Sequence, residues 1–529
     1  MWDRIRDFPA RAAVRFAVGT GFARSVRPAA LPTLLRSLAS GSQNPAQIYR
    51  FHARNQPDAR AIVFGERVIT WAELDDRIDR FASAFRRRGL KSGQRVLLMM
   101  RNRPEHIELA GALARANAAA VAISWRSTAD ELVYLATHSG ARGLVIDRAF
   151  LPVLEDARAR LAPELLANVF VPGESLESLV HEPPMALDDG ADDAASVVIY
   201  TSGTTGKPKG AVRTFPKDTM RAAFRFVNAT PLRHDDVHVV ACPLYHSTAF
   251  GFTTLATLLG NTLVILDEFE PRAFLDAVVR HRATTTALVP TMLHRILDVP
   301  FRRTPLRVVF AGGAPLPAPL ALAFMDAYGD VLHEFYGATE TGLVTLATPA
   351  DLRAAPGTIG RALPGNDIRL LDPKDGIGEL FVKNDLLVAG YNHDDEATRA
   401  SMRDGYFSVG DLARRDREGR YFLEGRKRDM IISGGVNVYP AEVEATLEAH
   451  PDVVEVAVVG VPDQEWGEKV CAFVVVRPDA PREADALRAF AKARLSGPKV
   501  PRGWIFVDQL PRNPTGKVLK RELRERTVG

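Results

Sequence analysis

The sequence predicts an α/β protein: a large N-terminal domain of helix-flanked sheets with a small β-rich subdomain, plus a small α+β C-terminal domain. Three observations carry this prediction. From about residue 45, helical and strand-like patterns alternate. Beyond about residue 357 the pattern becomes shorter strands with Gly/Asp turns. After Gly425-Arg426-Lys427-Arg428-Asp429 a compact helix–strand pattern fills about a hundred residues, enough for an independent domain. A chain of 529 residues also exceeds what one core usually organises. The expected division is a basic amphipathic leader over 1–44, a large domain over 45–427 and a small domain over 428–529.

Taken in order, the first clear helix starts after Thr70, where Glu73 completes a capping box and Leu74, Ile78, Phe81 and Phe85 share one face. Arg95–Met100 reads as a buried strand, a helix begins near Pro104, and the strand Ala119–Ile123 follows. Further strands are expected at Gly143–Ile146, Val237–Val240, Thr262–Leu266, Ala287–Val289 and Leu306–Phe310, then at Ile368–Leu371 and Gly378–Val382. In the small domain the pattern is a helix from Pro440, strands Val453–Val459 and Val470–Val476, a helix from Ala484 and a strand Trp504–Val507.

Composition is that of an ordinary globular protein, and a net charge of +4 over 529 residues gives no case for nucleic-acid binding. Cys242 and Cys471 stand far apart without metal-ligand spacing, so reduced, buried thiols of a cytoplasmic protein are expected. Residues 1–40 hold seven arginines against Asp3 and Asp7, interleaved with apolar residues. No secretory segment and no membrane-length apolar run occurs there. Two readings stay open for this leader: a helix packed on its own domain, or a peripheral contact with an anionic membrane. A homodimer is compatible with the sequence.

The apolar run Ala195–Ile199 breaks into Tyr200-Thr201-Ser202-Gly203-Thr204-Thr205-Gly206-Lys207-Pro208-Lys209-Gly210. Its glycines free the backbone, its hydroxyls donate and its lysines bring charge, a composition suited to wrapping a polyphosphate. Only two residues separate Gly203 from Gly206, so this is not a Walker-type P-loop. In Phe335-Tyr336-Gly337-Ala338-Thr339-Glu340-Thr341-Gly342, Tyr336 can stack on a purine, Thr339 can bond an α-phosphate and Glu340 offers the hard oxygen that Mg²⁺ prefers. Ala311-Gly312-Gly313-Ala314-Pro315 lets backbone approach a flat base, and Asp411, with Arg426 nearby, suits a ribose diol.

Together these strings resemble the signatures of the adenylate-forming superfamily of acyl-CoA synthetases, over about residues 45–525. The resemblance implies an AMP-forming acid–thiol ligase using ATP, Mg²⁺ and coenzyme A. It makes the first loop a flap over the β- and γ-phosphates, with Thr201, Ser202, Gly203, Thr204, Thr205, Gly206, Lys207 and Lys209 as ligands. Gly312, Gly313, Ala314, Tyr336, Gly337, Asp411 and Arg426 become the ATP/AMP site, with Thr339 and Glu340 in the phosphate and metal roles. Lys517, in Pro514-Thr515-Gly516-Lys517, matches a catalytic lysine that a mobile small domain inserts. Gly434 and Gly435 match the face offered to coenzyme A, and Arg428 the hinge. His246 matches the group beside the reacting carboxylate, and Ala249, Phe250 and Leu343, with Gly312 and Gly337, match an apolar acyl wall without a charged partner. Two departures stand out: Val409 where Thr is usual, and Arg428 where Asp or Lys is usual. Lys499 and Arg502 are candidates for the phosphates of coenzyme A, and equally for a solvated face.

Overall fold

In the computed structural model the described residues are 10–33, 44–185, 196–201, 209–214, 217–388, 390, 395–433, 436–464, 466–512 and 517–527. Two sheets build the large domain. The first has nine strands in the spatial order Arg361–Ala362, Gly342–Ala347, Leu332–Ala338, Val308–Ala311, Thr285–Leu288, Val237–Val240, Thr262–Ile265, Arg60–Phe64 and Arg67–Thr70. It is parallel at its centre and antiparallel at both ends. The second has six strands, Val169–Phe170, Gly143–Ile146, Arg95–Met99, Ala119–Ala122, Ser196–Thr201 and Lys209–Thr214. Helix Trp71–Arg87 lies between the sheets, where its Leu74, Ile78 and Phe81 share one core with Ile62 and Leu263 of the first sheet and Val96 and Val145 of the second. The capping box at Thr70 forms, with Glu73 N–H donating to Thr70 Oγ1 at 3.3 Å.

Strand ends in the two large sheets differ from expectation by at most two residues, whereas the small-domain strand expected to end at Val459 runs on to Asp463. The strand expected at Ala287–Val289 is Thr285–Leu288, because Val289 is the N-cap of a helix that Pro290 opens. That expected from Leu306 begins at Val308, in register with Thr285. The β-rich subdomain is an antiparallel six-stranded sheet over residues 367–426. The small domain has a five-stranded sheet, with helices Pro440–Glu448 and Ala484–Lys492 in one core and helix Lys520–Glu525 contributing Leu523 to another.

The described part of the leader packs on its own domain. Helix Ala10–Gly19 buries Phe16, whose ring lies 4.7 Å from Phe224 of helix Lys217–Asn228, and Asn228 Nδ2 donates to the carbonyl of Ala12 at 3.0 Å. Gly21, at φ 79°, turns the chain so that Phe22 also meets Phe16. Cys242 and Cys471 are free and buried, and burial pushes their thiols up to about 12 and about 11.

Candidate active site

A cleft of about 2450 Å³ runs between the large and small domains, with room for a nucleotide beside an acid. The hairpin Ser196–Thr201/Lys209–Thr214 reaches its edge, with Thr201 paired to Lys209 at the mouth of the loop. Ser202, Gly203, Thr204, Thr205, Gly206 and Lys207 lie outside the described residues, as do Gly434 and Gly435.

The second motif is a hairpin turn between Leu332–Ala338 and Gly342–Ala347. Glycine is required at 337, where an added Cβ would come within 2.1 Å of the Gly342 carbonyl oxygen. The turn is tied from several sides. Ala338 N–H donates to Thr341 Oγ1 at 3.1 Å, Val388 N–H to the Glu340 carbonyl at 2.9 Å, and Asn384 Nδ2 to the Thr341 carbonyl at 2.9 Å. Thr339 Oγ1 donates to Ser247 Oγ at 3.3 Å, which joins the turn to helix Ser247–Leu259. Glu340 is buried yet lines the cleft. One carboxylate beside hydroxyls fits Mg²⁺, which takes few protein ligands and completes its shell with phosphate oxygens and water.

Asp411 and Arg426 face each other on antiparallel strands, with Arg426 Nε 3.2 Å from Asp411 Oδ1. Tyr336 donates its hydroxyl to Asp411 Oδ2 at 2.7 Å, and burial, then Asp411, raises its pKa well above the ordinary phenol value. One carboxylate thus joins an aromatic from the large sheet to an arginine of the subdomain. Gly410, at φ 81°, allows the preceding turn. Val409 packs with Leu387 against Val388 and Phe407, which gives the departure from Thr an apolar reason.

From the small domain, Lys517 enters the same cleft. Its side chain is exposed to the cleft. Burial and then Arg426 lower its pKa, while Asp411 and Glu340 oppose them. Lys517 is also felt by His246, whose pKa is held down to about 4, first by burial and then by this lysine. His246 caps helix Ser247–Leu259 through Thr248 N–H and lies within 4.0 Å of where a Gly313 Cβ would sit. Gly313 adopts φ +81° and lines the cleft with Ala314. Arg428 lies in the short turn Lys427–Asp429 and also lines the cleft, its pKa lowered by burial and by Arg426.

Several of the expected residues sit differently in the fold. Ala249 is buried in the core between the large sheets and does not line the cleft, because the capped first turn of its helix directs Phe250 there instead. Gly312 serves packing: an added Cβ would meet the Phe335 carbonyl oxygen at 2.5 Å, and the residue does not line the cleft. Leu343 does line it. The acyl wall is not free of charge, since Arg225 Nη1 pairs with Asp385 Oδ2 at 2.9 Å at its edge. Lys499 is held by Glu442 at 2.7 Å and Arg502 stacks 3.5 Å from the Trp466 ring, so neither is an uncommitted phosphate ligand.

Sequence reasoning missed two things here. Helix Lys217–Asn228 supplies the opposite wall through Thr219, Ala222, Ala223 and Phe226. Glu334, 5% exposed, lines the cleft without a side-chain partner among the described residues, and burial raises its pKa well above the ordinary carboxylate value. A glutamate inside the apolar strand Leu332-His333-Glu334-Phe335 was the available signal.

A carboxylate held by tyrosine and arginine, an acid beside hydroxyls and a lysine from a second domain define a two-domain, nucleotide-using ligase. The chain belongs to the AMP-binding enzyme family, within the adenylate-forming superfamily of acyl-CoA synthetases. Residues 49–392 match the AMP-binding enzyme domain and residues 442–517 its C-terminal domain. A feruloyl-CoA synthase of Amycolatopsis sp is 37% identical over 90% of this chain and 97% of its own. A long-chain-fatty-acid–CoA ligase of Mycobacterium tuberculosis is 32% identical over 86% and 93%. Among solved structures, ATP-bound MatB from Rhodopseudomonas palustris superposes with a TM-score of 0.82 at 32% identity, covering 91% of this chain and 98% of that one.

Proposed function

We propose that the protein joins an apolar carboxylic acid, a medium- or long-chain fatty acid, to coenzyme A in two steps, in the cytoplasm. In the first, the carboxylate oxygen attacks the α-phosphorus of ATP, the bond to the β-phosphate oxygen breaks and pyrophosphate leaves. In the second, the thiol sulfur of coenzyme A attacks the acyl carbonyl carbon and AMP departs. The single observation that carries the reading is Lys517, brought from the small domain into the cleft that holds Glu340, Asp411 and His246.

Each residue then has a task. Asp411 accepts from the ribose hydroxyls while Arg426 fixes its orientation. Tyr336 stacks on the base, and Thr339 bonds the α-phosphate. Lys517 offers a positive charge where the phosphoryl transition state gathers negative charge. His246, neutral at physiological pH, borders the carboxylate without adding a competing charge. Glu340 would hold Mg²⁺, which when bound offsets phosphate charge. Arg428 serves as the hinge about which the small domain exchanges Lys517 for Gly434 and Gly435.

A fatty chain is supported by Ala222, Ala223 and Gly251 on the facing helices, where no atom lies within 4 Å of an added Gly251 Cβ. A second reading, an arylcarboxylate, is supported by the identity to the feruloyl-CoA synthase. Transfer of the adenylate to a carrier protein, a homodimer and a peripheral membrane position are finer proposals within the same reading. A non-catalytic lipid-binding role is disfavoured by Lys517, Glu340 and Asp411 meeting in one cleft. Pyrophosphate release over a panel of carboxylic acids, with and without coenzyme A, is the test. Release with thioester formation is expected for an apolar acid, and release without thioester would move the reading to carrier loading. No release with any acid would remove the ligase reading.

A further inference from the structure

We propose that the outward side of the leader, centred on Val14, Arg15 and Val18, docks on an anionic lipid surface and so places the acyl wall at the source of its acid. The proposal rests on the reading of an apolar acid as substrate, but its observations are separate. Helix Ala10–Gly19 is fixed to the large domain by one side only, through Phe16 and the Ala12 carbonyl. On the other side Val14 and Val18, one turn apart, are 61% and 70% exposed. Single exposed valines are ordinary; here they lie in a stretch whose charge has one sign. Residues 10–33 hold Arg11, Arg15, Arg24 and Arg27 and no acidic residue.

Arg15, Arg24 and Arg27 are exposed, and none of their side chains makes a hydrogen bond or ion pair among the described residues. Arginines nearby do otherwise: Arg50 pairs with Asp79 at 2.7 Å and Arg115 with Asp75 at 2.6 Å. Leu31, farther along the leader, is 44% exposed as well. Apolar side chains flanked by unpaired arginines match a surface of lipid phosphates over acyl chains. A second copy of the same face is disfavoured, since a twofold contact would set the arginines of one copy against those of the other.

The position gives the contact a use. The leader covers helix Lys217–Asn228 at Phe224, and Thr219, Ala222 and Phe226 of that helix line the cleft. Two packed helices, the leader's own and Lys217–Asn228, each about 10 Å thick, therefore separate the docking face from the acyl wall. An acid dissolved in the bilayer has a short path to the cleft, whereas one delivered from water gains nothing from the leader.

Removing the leader is a poor test, because Phe16, Thr20, Ala30 and Thr33 are buried in it. Substitutions at exposed positions leave those contacts in place. Full-length protein is floated with vesicles of phosphatidylcholine alone or with added phosphatidylglycerol. Two variants accompany it, Val14→Asp/Val18→Asp and Arg15→Glu/Arg24→Glu/Arg27→Glu. The unmodified protein is expected to float with the anionic vesicles only. The arginine variant should partition about 100-fold more weakly, from about fivefold for each of the three lost charge contacts at low salt. Pyrophosphate release with a short, water-soluble acid should be the same in all three, whereas the apparent KM for a vesicle-dissolved fatty acid should rise in both variants. Equal flotation of all three, or no flotation of the unmodified protein, overturns the proposal. So does a dimer that sediments without lipid and is lost in the valine variant, which would make the face an interface between copies. Failure of the ligase reading itself would show as no pyrophosphate release with any acid while flotation stayed intact.

Discussion

The two domains contribute to the cleft in opposite ways. The large domain holds its groups through partners that do not depend on a ligand: Tyr336, Asp411 and Arg426 form one chain, and the Thr339–Thr341 turn is tied to Ser247, Asn384 and Val388. The small domain brings Lys517 from beside a terminal helix that is anchored mainly to its own domain, by Lys520 to Glu444 at 2.6 Å and by Leu523. Arg524, paired with Asp429 at 2.7 Å, ties that helix to the turn between the domains. In the proposed two-step reaction, which shares one acyl group, the first half of the site would stay and the second would leave.

Lys517→Ala tests the contrast most severely. Pyrophosphate release should fall about 10³-fold, the scale of losing a pre-placed electrostatic group. Thioester formation from synthetic acyl-adenylate should persist, and equal loss of both steps would break the division of labour.

Buried histidines of the large domain and a buried glutamate of the small domain contribute to stability with opposite pH dependences. Burial holds His52 and His238 of the large domain down to about 4, so the folded state leaves them neutral where the unfolded chain takes up protons. Large-domain stability should therefore fall as pH drops from about 6.5 to about 4, by up to ~3 kcal/mol for each histidine. In the small domain Glu448 is raised to about 8 by burial and then by Glu444 and Glu455, so the folded state keeps a proton that the unfolded chain has lost. Small-domain stability should fall as pH rises from about 4.5 to about 8, and Glu448→Gln should flatten that dependence. Calorimetry across this range checks both slopes, and a common slope for the two transitions would count against the contrast.

Gly435→Leu should act as the mirror of Lys517→Ala, slowing thioester formation about 10²-fold by misplacing the thiol while pyrophosphate release survives. Tyr336→Phe removes the hydroxyl that bonds Asp411 and should raise the KM for ATP about fivefold, the scale of one hydrogen bond, with little change in kcat. Smallest of all, Val409→Thr should leave activity within about twofold and cost about 1 kcal/mol in thermal unfolding, since its hydroxyl would enter the cluster of Phe407 and Val388.

Much of this was legible in the sequence. The strand and helix alternation is local, and the capping box at Thr70 depends on residues three apart, so both read directly. The motif around Glu340, the Asp411–Arg426 pairing and the arrival of Lys517 followed from the strings that carry the resemblance. The rest was not legible, for a physical reason. Arg225 meets Asp385 across 160 residues, and Glu334 reaches the cleft through sheet register rather than through any periodic pattern. Ala249 and Gly312 show the reverse: being inside a motif does not say which side of the chain faces the ligand.

Arg426 and Arg428 are separated by a single residue, Lys427, whose N–H donates to the Gly410 carbonyl at 2.8 Å, in the loop that presents Asp411. In the proposed roles one arginine senses the nucleotide and the other turns the domain, on the same few ångströms of backbone. Binding and rotation then share a free energy. Whichever nucleotide form prefers one orientation must itself be bound more tightly in that orientation, by the same factor. Release of AMP and return of Lys517 are thus linked, so a hinge substitution that shifts the equilibrium between the two orientations should show up equally as an altered affinity for AMP.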